Sequence, residues 1–185
     1  ENHRALREVL EDEGVRFDSE TDTEVIPHLI SRELKLLKEE GATAKGQMLL
    51  QAVQRISKHL KGAYALAVVW NEAPDALIVA RKEAPLVIGF GEGEFLCASD
   101  TPALAGFTKT IMPMKDGEVA LLTPLGIELY NSDGKRQQRK PSLLIETEHI
   151  ADKSNFRHFI LKEIHEQPET AELWVARHLP DGLPK

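Results

Sequence analysis

The feature that most constrains the fold is a block of short strand-like runs between two helical stretches. Runs at 63–70, 76–81, 86–89, 94–98, 108–112, 118–122 and 127–130 are rich in aliphatic and β-branched residues. Turn chemistry cuts them apart. Asn71-Glu72-Ala73-Pro74-Asp75 reads as one turn, and Asp116-Gly117 and Asp133-Gly134 are pairs that tolerate the left-handed backbone of tight hairpins. Several runs are almost continuously apolar, which predicts burial on both faces. A short helix is expected at Thr101–Leu104 and a last strand at Leu143–Ile145.

The flanking stretches carry helical periodicity. Ala5, Leu6, Val9 and Leu10 recur at helical spacing, with Gly14 as the stop. Val15–Phe17 fits a short strand. A second helix is expected from Thr21, where Thr21 and Glu24 have capping-box spacing, and Val25, Ile26, Leu29, Ile30, Leu34 and Leu37 form its apolar face. Pro27 predicts a bend or a lost bond in its early turns. A third helix spans about 45–60. After the strands, 156–167 reads as an amphipathic helix ended by Pro168, 169–179 as a second short helix, and 180–184 as a linker. Helices segregated from antiparallel strands indicate layered α+β packing.

Composition narrows the function. The 185 residues carry a net charge of −7 and no concentrated basic stripe, which argues against nucleic acid as a partner. The most basic patch, Lys135–Lys140, reads as a solvated loop. No run reaches the roughly 18 apolar residues a membrane span needs, so no membrane partner is expected. A single cysteine, Cys97, excludes an intrachain disulfide, and a cytoplasmic location is expected.

Asp22 is the candidate binding residue. A carboxylate at a helix start is stabilised in its ionised form by the dipole and is suited to hold the ammonium of a small amino acid. The competing structural reading is that it only caps the helix. Cys97 lies in an apolar strand, where burial raises a thiol's pKa, and reads as a core residue. Gly89-Phe90-Gly91-Glu92-Gly93 leads into a strand rather than a helix and reads as a hairpin, not a phosphate loop. His158 and His165 share a helix face without the further donors zinc would need, so no metal or other cofactor is expected. Trp70 and Trp174 read as core and packing residues.

In order along the chain stand Glu1-Asn2-His3, Ser19-Glu20-Thr21-Asp22-Thr23-Glu24, Lys61-Gly62-Ala63-Tyr64, Pro85 to Gly91, Ala98-Ser99-Asp100, Arg157-His158-Phe159 and Lys162 to Pro168. In this combination the chain resembles the class II glutamine amidotransferases, most nearly the glutaminase domain of the glucosamine-6-phosphate synthases. The resemblance implies an N-terminal-nucleophile-type, four-layer α-β-β-α sandwich with antiparallel sheets, lacking its first elements. It implies a glutaminase portion over 1–150 and, over 151–185, a helical joint and linker toward an isomerase domain. By resemblance, Asp22 grips the α-amino group of L-glutamine. The ammonia released serves conversion of fructose-6-phosphate to glucosamine-6-phosphate, in a homodimer formed through the isomerase part.

The family chemistry uses an N-terminal cysteine thiolate with its own α-amine as base and nearby donors for the oxyanion. Glu1 stands where the family has residues well inside the domain, so the chain is expected to be a fragment that by itself holds no catalytic residue and does not hydrolyse glutamine. Two alternatives remain open at this point. One is the glutaminase domain of an amidophosphoribosyl transferase type, and the other a non-catalytic regulatory or scaffold domain of the same fold.

Overall fold

The computed structural model describes residues 1–144 and 155–179. The chain divides into two units, 1–145 and 146–185. The first begins with α1 (His3–Asp12), a 3-10 turn (Asp22–Glu24), α2 (Val25–Glu39) and α3 (Lys45–Ser57). Nine strands follow among the described residues: β1 (Tyr64–Trp70), β2 (Ala73–Lys82), β3 (Val87–Phe90), β4 (Phe95–Ala98), β5 (Thr110–Pro113), β6 (Val119–Thr123), β7 (Gly126–Tyr130), β8 (Arg136–Gln137) and β9 (Ser142–Leu143). They form two antiparallel sheets, ordered β1-β2-β6-β7-β8 and β4-β3-β5-β9.

The layers follow from the apolar faces. Leu10, Val25, Leu29, Leu37, Leu49, Val53 and Ile56 of the helices bury against Ile78, Ala80, Val119 and Leu121 of the first sheet. The opposite face of that sheet, through Val79, Ala120, Leu122 and Leu129, meets Ile88 and Met112 of the second. A smaller cluster of Val87, Leu104 and Ile111 lies beside these. The result is an α+β sandwich in which side chains alternate between two cores along β2 and β6.

Burial on both faces holds for those strands but not for β1. Tyr64, Leu66, Val68 and Trp70 pack toward the helices, whereas Ala65, Ala67 and Val69 are exposed, Val69 by 74%. The core between the sheets draws no side chain from β1, so its second face stays uncovered among the described residues.

Other differences have local causes. The Asn71–Asp75 turn is shorter than expected, because β2 already begins at Ala73, after a bulge at Val69/Trp70. Pro74 is tolerated within β2 because pairing to β6 begins only at Leu77. Residues 15–17 form no strand; Val15 and Phe17 pack on the helical core instead. Pro27 sits in the first turn of α2, where its missing N–H would have had no helical partner. Residues 101–107 are hydrogen-bonded turns rather than a helix, and Thr108 Oγ1 donates to the Phe90 carbonyl beside them. Ile145, at the end of the expected last strand, and the linker at 180–184 lie outside the described residues.

The second unit contains α4 (Phe159–His178), one helix that continues through Pro168 instead of two that meet there. A proline in a helix interior costs about 3 kcal/mol, and the turns on either side outweigh it here. Trp174 is 57% exposed and stacks on His178 at 4.6 Å between ring centroids, so it is not a core residue. His165 stacks on Phe156 at 5.2 Å. Among the described residues no helix is long and apolar enough to cross a membrane.

Candidate functional site

Asp22 opens the 3-10 turn that leads directly into α2. It borders a cleft of about 80 Å³ with Asn2, His3, Leu6, Lys61 and Tyr64. The start of α1, the start of α2 and the connection from α3 to β1 therefore converge on one point. Among the described residues no hydrogen bond or ion pair engages the Asp22 carboxylate.

Two clasps hold the walls. On one side, the Asn2 amide donates to the His59 carbonyl at 2.9 Å and accepts from the Lys61 N–H at 2.9 Å. This pins the loop between α3 and β1 to the start of α1. Gly62, next in that loop, has φ +95°, and a Cβ there would lie 2.9 Å from Glu1 Cγ, so only glycine fits.

On the other side, the loop before Asp22 folds back over its own helix. The Glu24 carboxylate accepts the Asp18 N–H at 2.7 Å, the Ser19 N–H at 2.9 Å and the Ser19 hydroxyl at 2.5 Å. The Ser19 oxygen in turn accepts the Thr21 N–H at 3.2 Å. Arg7 of α1 donates to the Ser19 carbonyl at 2.9 Å and lies 4.3 Å over the Phe17 ring. Phe17 meets His28 edge-on at 4.7 Å, and His28 Nε2 stands 3.7 Å from Glu24. The Ser19 hydroxyl first, and then the backbone N–H groups of Asp18 and Ser19, hold the Glu24 carboxyl down at about 2.

This corrects the capping-box expectation. Thr21 makes no side-chain cap, and Glu24 bonds residues five and six positions back instead of three. In the sequence Asn2 stands out only as part of a run and Glu24 only as a local cap, so both clasps were missed. Spacing signals a local cap; it does not signal a loop reversal.

The remaining candidates fall elsewhere. Cys97 lies on β4, opposite Ile88, and packs against the core between the sheets. Burial pushes its thiol up, and it does not line the Asp22 cleft. The Gly89–Gly93 segment is the β3–β4 hairpin, closed by the Gly91 N–H donating to Glu94 O at 3.0 Å. Among the described residues no group of three or more His, Cys, Asp or Glu is placed to hold a metal. The basic patch is not simply solvated. Arg139 makes a two-pronged ion pair with the buried Glu118, and its Nη1 also donates to the Pro113 carbonyl at 3.0 Å.

The chain is 50% identical over all 185 residues to a glutamine–fructose-6-phosphate aminotransferase (isomerizing) of Nostoc sp., of which it covers 29%. It is 48% identical over 179 residues to the enzyme of that name from Thermosynechococcus vestitus, covering 97% of this chain and 28% of the relative. With that of Thermotoga maritima it shares 46% over 169 residues, covering 91% and 26%. The chain thus spans under a third of the length of these relatives. Among solved structures it resembles the glutamine phosphoribosylpyrophosphate amidotransferase from B. subtilis complexed with ADP and GMP, with a TM-score of 0.58 and 26% identity over 74% of this chain and 28% of that one. The glutamine amidotransferase domain profile matches residues 1–106, more than half of the sequence and the whole of the Asp22 cleft, and the chain belongs to that family.

Proposed function

We propose that this chain is part of the glutamine-hydrolysing portion of a glucosamine-6-phosphate synthase, in which ammonia from L-glutamine converts fructose-6-phosphate to glucosamine-6-phosphate. The observation that carries this reading is the 50% identity, over every residue of the chain, to an aminotransferase of that description. In the complete protein a cysteine thiolate adds to the glutamine amide carbonyl, ammonia leaves as a thioester forms, and water then releases glutamate. Cys97 is not that thiolate, because it belongs to the core between the sheets and its pKa is raised.

Asp22 contributes binding. Its unpaired carboxylate at the cleft is suited to the α-ammonium of glutamine by a charge-assisted hydrogen bond. Residues 151–185 serve as the joint toward the isomerase part. The complete protein works as a cytoplasmic homodimer, needs no cofactor and engages neither nucleic acid nor membrane.

The test is Asp22→Ala in the complete protein, with glutamate release followed against glutamine concentration. The KM for glutamine is expected to rise at least about tenfold, the worth of one charged hydrogen bond. An unchanged KM refutes the assignment of Asp22. A phosphoribosylpyrophosphate-using reading draws on the B. subtilis likeness. Supplying the complete protein with glutamine and either fructose-6-phosphate or phosphoribosylpyrophosphate separates the two, and aminated product from the second alone would refute the synthase reading.

A further inference from the structure

We propose that Glu24 is a positioning residue for the glutamine site, fixing the Asp18–Thr21 loop so that Asp22 presents its carboxylate to the ligand's ammonium. This rests on the reading of Asp22 as the ammonium ligand.

The argument starts from crowding. Residues 18–24 carry four carboxylates in seven positions, at Asp18, Glu20, Asp22 and Glu24. Left to itself, such a segment repels itself and spreads. Here one of the four is turned inward and surrounded by donors: two N–H groups and the Ser19 hydroxyl, all on Glu24. That does two things. It joins residues 18 and 19 to the first turn of the α2 entry, so the chain between them must arch outward through Glu20, Thr21 and Asp22. It also occupies the lone pairs of Glu24, so this carboxylate does not compete with Asp22 for a cation.

Other restraints on the loop are fewer. Arg7 holds one carbonyl, that of Ser19, while its Nε is committed to Glu11 at 2.9 Å. His28 faces Glu24 from α2 at 3.7 Å. Among the described residues the N–H groups of Asp18 and Ser19 have no acceptor other than Glu24. Exchanging the carboxylate for an amide leaves a single acceptor oxygen, so at least one of the two loses its partner. If the binding-competent arrangement then falls to about a tenth of the population, the apparent glutamine affinity falls about tenfold. The chemical step is spared, because the Asp22 contact is the same in ground and transition states and its loss weakens both equally.

The experiment compares Glu24→Gln, Ser19→Ala and Asp22→Ala in the complete protein. It measures KM and kcat for L-glutamine by glutamate release, amide hydrogen exchange at residues 18–21, and the melting temperature. The expected result for E24Q, whose amide keeps one acceptor oxygen in place of two, is a KM raised about tenfold, kcat within about twofold, faster exchange at Asp18 or Ser19 and only a modest fall in melting temperature. S19A, which removes one of three donors, is expected to raise KM a few-fold. If D22A raises KM while E24Q frees the loop amides and leaves KM unchanged, the inference is overturned and the reading of Asp22 stands. If D22A leaves KM unchanged, the reading of Asp22 falls and this inference with it. A joint loss of kcat and melting temperature in E24Q, with KM unmoved, would show a merely structural role and also overturns it. Should E24Q fail to fold, S19A decides on KM alone.

Discussion

Replacing Arg139 by Met should destabilise the chain far more than removal of an ordinary surface charge. Glu118 is only 3% exposed. Its carboxylate accepts Arg139 Nη1 at 3.1 Å, Arg139 Nη2, and the Lys115 N–H at 2.7 Å. Met keeps the apolar stem but withdraws both guanidinium donors, leaving a buried carboxylate with one N–H. Breaking one half of a buried pair costs about 3–5 kcal/mol, against less than about 1 kcal/mol for an exposed one. The Pro113 carbonyl also loses its bond from Arg139. With a urea m-value of about 2 kcal/mol/M, the unfolding midpoint should fall by about 2 M at unchanged m. The double variant Glu118→Gln/Arg139→Met keeps an acceptor for Lys115 without the buried charge. It is expected to recover at least about 2 kcal/mol of the loss. A single-variant cost below about 1 kcal/mol, or a double variant no more stable than Arg139→Met, would refute the buried-pair reasoning.

Two further outcomes follow from titratable groups. The Glu24 carboxyl is lowered from an ordinary value near 4.5 to about 2, so its contribution to stability is complete above pH 4.5 and is lost as pH falls toward 2. Acid unfolding of Glu24→Gln, followed by circular dichroism, should therefore have a shallower pH dependence across that window than the parent, and identical slopes would refute it. Burial raises the Cys97 thiol, so alkylation by iodoacetamide at pH 8 should be slower in the folded chain than after denaturation, as read by mass spectrometry, and equal rates would contradict its placement against the inter-sheet core.

What was legible in the sequence was local. Gly14 ends α1 because it can adopt φ +85°, and Gly117 and Gly134 turn the chain at +72° and +76°. Each needs only its neighbours to be read. The seven main strands were likewise legible from aliphatic runs between turns, with ends shifted by a few residues. The errors arose where a distant partner decided the outcome. The second face of β1 is apolar in composition yet exposed, because the neighbouring sheet contributes no side chain beneath it. Pro168 looked like a stop, but helical pairing on both sides carried α4 across it. Arg139 looked solvated, and its partner Glu118 lies in a turn 21 residues away.

The candidate site divides the same way. The placement of Asp22 at a helix entry was legible because the run around it is contiguous. Its support was not, since Asn2 reaches 57 and 59 residues along the chain to His59 and Lys61. Beneath these clasps, Leu10, Val25, Leu49 and Val53 form the helical core, almost wholly shielded from water. Core and clasps therefore carry separable loads. Truncating a core leucine such as Leu49 removes contacts that exist whether or not a ligand is bound, about 2–5 kcal/mol, and acts on unfolding. Cutting a clasp frees an exposed loop; on the proposed reading of Asp22 it changes where that carboxylate points and so acts on affinity, beside the stability Glu24 itself supplies. If Asp22 holds the ammonium as proposed, a site built this way tolerates change in its support only when the change leaves the loop's approach to α2 intact, which extends the constraint from Asp22 to Ser19 and Glu24.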